Sequence, residues 1–231
     1  MTTLQRCIKY GAITFAIFLL VSIFSGILGV LGIFAGVETL TDDKPMEGIT
    51  FKADDISDLD IDLSAVDFVI RVGDTFSLEN VDENIECYVD DHTLVIEEKG
   101  IFHTNNTRKV VLEVPADVTF KEVEINGGAG KIEIQRLYTD KLDIDMGVGN
   151  VEICTAVNQT CDIDMGVGNL EMTLLGIVDD YTIDLDKGVG ITKLNGKEMK
   201  NDAIYGNGDC QVEIDGGIGK IDLVIEEGQM L

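Results

Sequence analysis

The sequence predicts an all-β chain: a β-helix-like β-solenoid with a period of about 19 residues, preceded by one N-terminal transmembrane helix. Three observations carry this. The stretch Leu142-Asp-Ile-Asp-Met-Gly-Val-Gly-Asn-Val-Glu-Ile153 recurs almost letter for letter from Cys161 to Met172, and looser copies run Val123–Ile134, Ile183–Leu194 and Val212–Leu223. Beyond Val37, apolar residues follow the alternation of strands, and helical periodicity is absent. From Tyr10 to Val37 no charged residue occurs, and about 20 apolar residues suffice to span a bilayer core.

In chain order, residues 1–9 read as a cytoplasmic N-terminus, 10–37 as a transmembrane anchor, 38–50 as a polar tether and 51–231 as an acidic β-strand-repeat solenoid domain. The apolar run exceeds the roughly 7–15 residues of a signal-peptide core, which favours a retained anchor over cleavage. Cys7 precedes the run and no cysteine follows it closely, so lipoprotein processing has no substrate. Arg6 and Lys9, with no early acid, keep the N-terminus inside by the positive-inside rule and place the β domain outside the cytoplasm. Ser22/Gly26, Ser25/Gly29 and Gly32/Gly36 put small residues on one helix face. That spacing suits a helix-mediated homodimer, although glycine is common in membrane helices generally.

All 43 acidic residues, against 15 of the 17 basic ones, lie from Glu38 onward, a net charge of −28. A field of that sign excludes nucleic acid as a partner. Cys87, Cys154, Cys161 and Cys210 fall in the exported part, where an oxidising surrounding would pair them. Cys161 replaces Leu142 in the repeat and Cys210 alternates with Val212 and Ile214, so both are expected to point inward as small hydrophobes. A Cys154–Cys161 disulfide closing a small loop is the alternative. No zinc-ligand spacing occurs.

Short strands are expected at Leu59–Leu63, Val66–Val72, Ile85–Val89, Thr93–Glu97 and Lys109–Val114, with a loop at Gly100–Arg108 and a strand end at Pro115, which lacks a ladder donor. Aligned on its second glycine, the repeat places Gly130, Gly149, Gly168, Gly190 and Gly219 in register. Seven and five residues earlier stand Val123, Leu142, Cys161, Ile183, Val212 and then Ile125, Ile144, Ile163, Leu185, Ile214. Four residues later come Ile134, Ile153, Met172, Leu194 and Leu223. Stacked coils would bury these as three inward columns. The glycine pairs supply positive φ and close packing at each corner. A phosphate cradle is excluded, because a strand rather than a helix follows. Leu59–Ile70 is a worn copy with Ser64-Ala65-Val66 in the Gly-x-Gly frame, and Tyr205-Gly-Asn-Gly-Asp209 looks like a further corner. About eight to ten coils are expected, with Ile49–Phe51 and Val224–Leu231 as candidate end caps.

The outward positions repeat as well. Glu124, Asp143, Asp162, Asp184 and Glu213 form one set, and Asn126, Asp145, Asp164, Asp186 and Asp215 a second. In coils about 4.8 Å apart they become two carboxylate ladders. The metal candidates are Asp143, Asp145, Asp162, Asp164, Asp184 and Asp186, which Ca²⁺ would bridge through oxygen ligands; the alternative is a solvated ladder screened by salt. Gly127-Gly-Ala-Gly-Lys-Ile132 lacks the aspartate of a calcium-roll motif. Lys193, Lys197 and Lys200 form the one basic spot, a candidate contact loop. Catalysis is not expected. Carboxylates are too regularly spaced to single out one acid and one base of a glycan-cleaving β-helix, and His92 and His103 have no nucleophile at a recognisable spacing.

Leu59-Asp-Ile-Asp-Leu-Ser-Ala65, Lys109-Val-Val-Leu-Glu-Val-Pro115, Val123-Glu-Ile125 and the ordered Gly-x-Gly repeats resemble the bacterial putative adhesin family of unknown function, over about residues 50 to 225. The resemblance implies β-strand repeats in a β-helix-like fold, an envelope or surface location, and no established catalytic residues or cofactor. The expected role is a membrane-anchored, envelope-exposed binding or scaffolding protein with an envelope glycan or protein as partner. The alternative is a sensory or accessory ectodomain of an envelope-stress pathway.

Overall fold

The computed structural model describes residues 49–51, 56–99, 108–186, 188–199 and 203–227, all within the compact unit Pro45–Leu231. The predicted anchor, almost all of the tether, most of the Gly100–Arg108 loop, His103, Lys200 and the last four residues lie outside the described residues. Among the described residues no helix is long and apolar enough to cross a membrane.

The strands are β1 Ile49–Phe51, β2 Asp58–Gly73, β3 Phe76–Glu79, β4 Ile85–Asp90, β5 Thr93–Glu98, β6 Arg108–Pro115, β7 Phe120–Leu175, β8 Tyr181–Asp186, β9 Val189–Leu194, β10 Lys197–Glu198, β11 Ala203–Gly206 and β12 Cys210–Glu226. All belong to one 12-stranded sheet, and among the described residues the one helical segment is a 3-10 turn at Val178–Asp180. β7 runs 56 residues without a break, because it winds through three successive rungs of the solenoid. The predicted strand end at Pro115 is where β6 stops.

Rung order in space departs from rung order in sequence at both ends. β12 pairs in parallel with the last rung of β7 on one side (Ile214↔Ile163) and with β8 and β9 on the other (Ile214↔Leu185, Ile218↔Val189). The last rung of the chain is therefore inserted beneath the one that precedes it. The start mirrors this: β2 lies between the first rung of β7 (Leu59↔Val123) and the rung made by β5 and β6 (Leu59↔Leu94, Phe68↔Val110). The sequential stack expected from the glycine spacing is corrected accordingly.

The described residues form seven parallel rungs, fewer than expected, because residues at both ends form antiparallel covers instead. β4 covers β5, β3 covers β6, and β1 adds to β3; β11 covers β8 and β10 the end of β9. An exposed parallel edge leaves backbone groups unpaired, and a short connection can close it only with an antiparallel strand. Placing the hairpin-bearing rungs outermost meets both conditions. Ile49–Phe51 is such an end strand, as expected. Val224–Glu226 is not a cap: it pairs in parallel with Thr173–Leu175 inside the stack. Tyr205–Asp209 is no rung corner either, since β11 runs antiparallel to β8 and Gly208 N–H donates to Tyr181 O at 3.1 Å.

The predicted columns form the core. Val123, Leu142, Cys161, Val212 and Ile183 are buried, as are Ile125, Ile144, Ile163, Ile214 and Leu185, extended downward by Leu59 and Ile61 and by Leu94 and Ile96. The third column is buried except at Leu194, which is half-buried. At the corners the backbones touch. A Cβ on Gly168 would lie 1.6 Å from Gly149 O, and one on Gly149 would lie 1.9 Å from Gly130 O; both glycines hold φ at +152°. Only glycine fits that approach. The worn copy keeps the frame, with Ala65 opposite Ala129. Cys161 and Cys210 are buried in the core, and all four described cysteines are free thiols.

Candidate functional site

Alternation along β7 and β12 turns every second residue outward, so the repeat writes its chemistry onto the flanks of the stack. On the strand before each corner, the pairing registers set one column as Asp60, Glu124, Asp143, Asp162, Glu213, Asp184 and a second as Asp62, Asn126, Asp145, Asp164, Asp215, Asp186. The two ladders exist, with one correction. Asp184 and Asp186 do not neighbour Asp162 and Asp164, because Glu213 and Asp215 stand between them.

Crowding of like charge marks these columns. Partial burial, and then the neighbouring carboxylates, raise the Asp143 and Asp162 carboxyls above the ordinary range. Asp60 and Asp215 are raised for the same reasons, and Glu213 chiefly by the facing Asp162 and Asp215. Among the described residues no three His, Cys, Asp or Glu side chains converge as a ready metal site. Successive carboxylates thus line up without closing on one point.

After each corner runs an acidic row that the sequence reading passed over: Glu133, Glu152, Glu171 and Asp222, three residues beyond the second glycine. It borders a shallow groove of about 400 Å³ shared with Cys154 and Thr173. Lys131 Nζ ties Glu133 to Glu152 at 3.0 and 2.9 Å, and Lys220 sits 3.0 Å from Asp222. Asn169 Nδ2 donates to Asn150 Oδ1 at 3.0 Å one rung below. Burial raises the Cys154 thiol, so it is not an activated nucleophile. The same alignment on the second glycine contains this row.

Of the predicted basic spot, Lys193 ends up beside Asp222 in the β9–β12 register, and Lys197 begins β10 opposite Leu194. Lys200 lies outside the described residues. His92 is exposed with φ +72°, and its carbonyl accepts from Ser57 N–H at 2.9 Å.

Residues 113–217 match the family Toastrack DUF4097, a domain of unknown function, in agreement with the predicted family. No curated protein matches the chain. Among solved structures, the chain is similar to a putative cell adhesion protein from Clostridium sporogenes at 17% identity and TM-score 0.52, covering 79% of this chain and all of that one. A putative adhesin from Bacteroides fragilis matches at 18% identity and TM-score 0.39, over 79% of this chain and 98% of its own. A putative lipid binding protein from Parabacteroides distasonis matches at 14% identity and TM-score 0.31, over 81% and 98%. The first of these likenesses shows a shared fold.

Proposed function

We propose that the chain is a membrane-anchored, non-catalytic β-repeat protein exposed at the cell envelope, where the acidic stack binds or scaffolds an envelope component. One observation carries this reading. The same outward carboxylate pair returns on successive rungs, as Asp143/Asp145, Asp162/Asp164 and Glu213/Asp215, so the surface is an array. An array suits an extended partner; hydrolysis requires one acid and one base set apart by their environments. The name of the solved structure that shares the fold, a putative cell adhesion protein, points the same way. The uncharged run 10–37 supplies the anchor and Arg6 and Lys9 its orientation.

Protease added to intact cells tests the placement. The β domain should be digested from outside, and deletion of residues 10–37 should detach it from the membrane fraction. A β domain that survives external protease, yet is cleaved after lysis, overturns the reading.

A further inference from the structure

The residue between the two glycines of each corner has no task in the fold described so far. Ala129, Val148, Val167, Ile218 and Val189 stack in that order along the corner. The last four are 46%, 45%, 55% and 68% exposed. Packing does not require them, since Ala129, and Ala65 in the worn copy opposite it, complete the same corner with a methyl group. Strand propensity does not require an apolar side chain either, because threonine would supply it. Four stacked β-branched hydrophobes nevertheless stand in water, a contiguous strip of the kind that marks interaction surfaces.

Both flanks of the strip are acidic. Asp145, Asp164 and Asp215 are exposed on the strand before the corner, with Glu152, Glu171 and the half-buried Asp222 on the strand after it; Lys131 pairs with Glu152, Lys220 with Asp222, and Lys193 takes the same position on the Val189 rung, so the row before the corner carries the stronger field. We propose that this corner is a docking ridge for a cationic amphipathic helix of a partner protein, whose apolar stripe covers Val148, Val167, Ile218 and Val189 while flanking Lys and Arg residues meet the two acidic rows. The inference deepens the binding role proposed above by naming the surface and its partner class.

Charge and spacing select this occupant. A second copy would set acidic rows against acidic rows, and an anionic lipid surface would be repelled equally. Rungs about 4.8 Å apart carry the four side chains over about 14 Å. Three turns of helix, at about 5.4 Å each, keep pace with them. An extended strand repeats a face only every 6.6–6.8 Å or so and falls out of step. At Val167 and Ile218 the rungs are already paired with each other, and Ile218 is also paired with Val189, which leaves no free ladder there for an added strand.

The probe is a fluorescein-labelled peptide of about 18 residues, five helical turns, built from Leu and Lys with the leucines on one face. An isomer of identical composition, with leucines all round, is the control. Anisotropy is read with the full chain in phosphatidylcholine nanodiscs, against empty discs, at about 0.15 M salt. The patterned peptide should bind at least about tenfold more tightly than its isomer, and V148T/V167T/I218T/V189T should lose that margin with its far-UV circular dichroism and melting unchanged. The corresponding alanine variant, which copies the Ala129 corner, should behave the same and covers the case in which threonine perturbs folding. Equal binding of the two peptides, unchanged binding by a folded variant, or no binding at all overturns the ridge. The readout is independent of where the chain resides in the cell, so failure here leaves the anchored placement standing, and the reverse also holds.

Discussion

At the end of the stack where β5 and β6 form the outer rung, β4 covers β5 along its whole length, from Ile85↔Glu98 to Asp90↔Thr93, and β3 covers β6 with β1 added beyond it. Charged groups fasten these covers. Arg71 bridges Glu79 and Glu113, each at 2.8 Å, and Ser77 Oγ donates to Glu113 at 2.7 Å. Arg108 joins Asp82 to Glu98, whose second oxygen accepts from Ser64 N–H at 2.9 Å and Ala65 N–H at 3.2 Å. Phe76 and Phe120 meet edge to face with centroids 6.0 Å apart. At the β8–β9 end, β11 covers four residues of β8 and β10 pairs with only Lys193 and Leu194. Val189, Ile191 and Ile204 remain exposed there, and uncharged bonds such as Thr182 Oγ1 to Gly208 O at 2.7 Å and Ile225 N–H to Asn195 Oδ1 at 2.9 Å stand in for the ion-pair networks. Both ends solve the open-edge problem with the same inserted rung, but among the described residues only one fastens its lid with ion pairs. In native-state hydrogen exchange the β8–β11 end should therefore open first.

The largest expected effect lies in what the two ends share. Gly168→Ala drives a methyl into Gly149 O at φ +152°, so a rung must shift and several kcal/mol, about 4 or more, should be lost. Gly196, at φ +75° in the β9–β10 turn, has nothing within 4 Å of a built Cβ; Gly196→Ala should cost only about 1–2 kcal/mol, the price of the left-handed conformation alone. Urea melts of the two variants compare corner with lid. Equal losses would show that close rung contact does not hold the stack.

Next comes Arg108→Met. It strands Glu98, whose side chain is 7% exposed, and a broken, largely buried pair costs about 3 kcal/mol or more. Asn195→Ala at the other end removes one exposed hydrogen bond and leaves alanine at φ +49°, together worth about 1–2 kcal/mol. The pair inverts the comparison if the lids act as described: in Arg108→Met the β4–β5 amides should exchange at least as fast as those of β8 and β11. Retention of the original order would separate the ion pairs from the stability of that end.

Acidification should move the ladder and the fastened end in opposite directions. Asp143 and Asp162 have carboxyls raised by burial and by neighbouring acids. Between their ordinary and raised values the folded state holds more protons than the unfolded one, so stability falls as pH rises through that window and returns on acidification. Glu113 is lowered, first by the Ser77 hydroxyl and then by Arg71; its contribution is present above the ordinary carboxylate value and disappears as pH falls through the lowered one. Melting temperature should thus rise as pH falls through the window that lies above the ordinary carboxylate value of about 4, before the Glu113 network releases at lower pH. D143N/D162N should flatten the rise and leave the later fall. An unchanged rise in that variant would assign it to other groups.

The inward columns, the corner glycines, the worn first copy and the two acid ladders were legible because each is a position in one alignment, and side-chain alternation converts position into direction. Glu133, Glu152, Glu171, Asp222 and the Val148–Val189 ridge occupy the same alignment, so their signal was present wherever it was not followed. Rung order was not legible. Alignment preserves Gly190 before Gly219, and only the long interval between them hinted at the hairpins β10 and β11, which displace β8 and β9 to the outside. The Arg108–Glu98 clasp and its contact with Ser64 join segments outside the repeat, and periodicity does not report non-local pairs.

The smallest effect is also the one that runs toward greater stability. Thr192 occupies an inward column with Val151, Leu170 and Ile221, is 1% exposed, and its hydroxyl finds no hydrogen-bond partner among the described residues. The buried threonines of the middle rungs differ: Thr139 Oγ1 donates to Lys141 O at 2.8 Å and Thr155 Oγ1 to Leu137 O at 3.1 Å. An unpaired buried hydroxyl carries a desolvation cost of about 1–3 kcal/mol, and valine has the same shape without it. Thr192→Val should raise stability by about 1 kcal/mol, whereas Thr155→Val should lower it, because it leaves a buried carbonyl with one partner fewer. Slower exchange of the β8–β9 amides in Thr192→Val, with β4–β5 unaffected, would place the gain at the loosely closed end. Destabilisation instead would mean that the hydroxyl is satisfied there, and the contrast between the two ends would then rest on their covering strands and ion pairs alone.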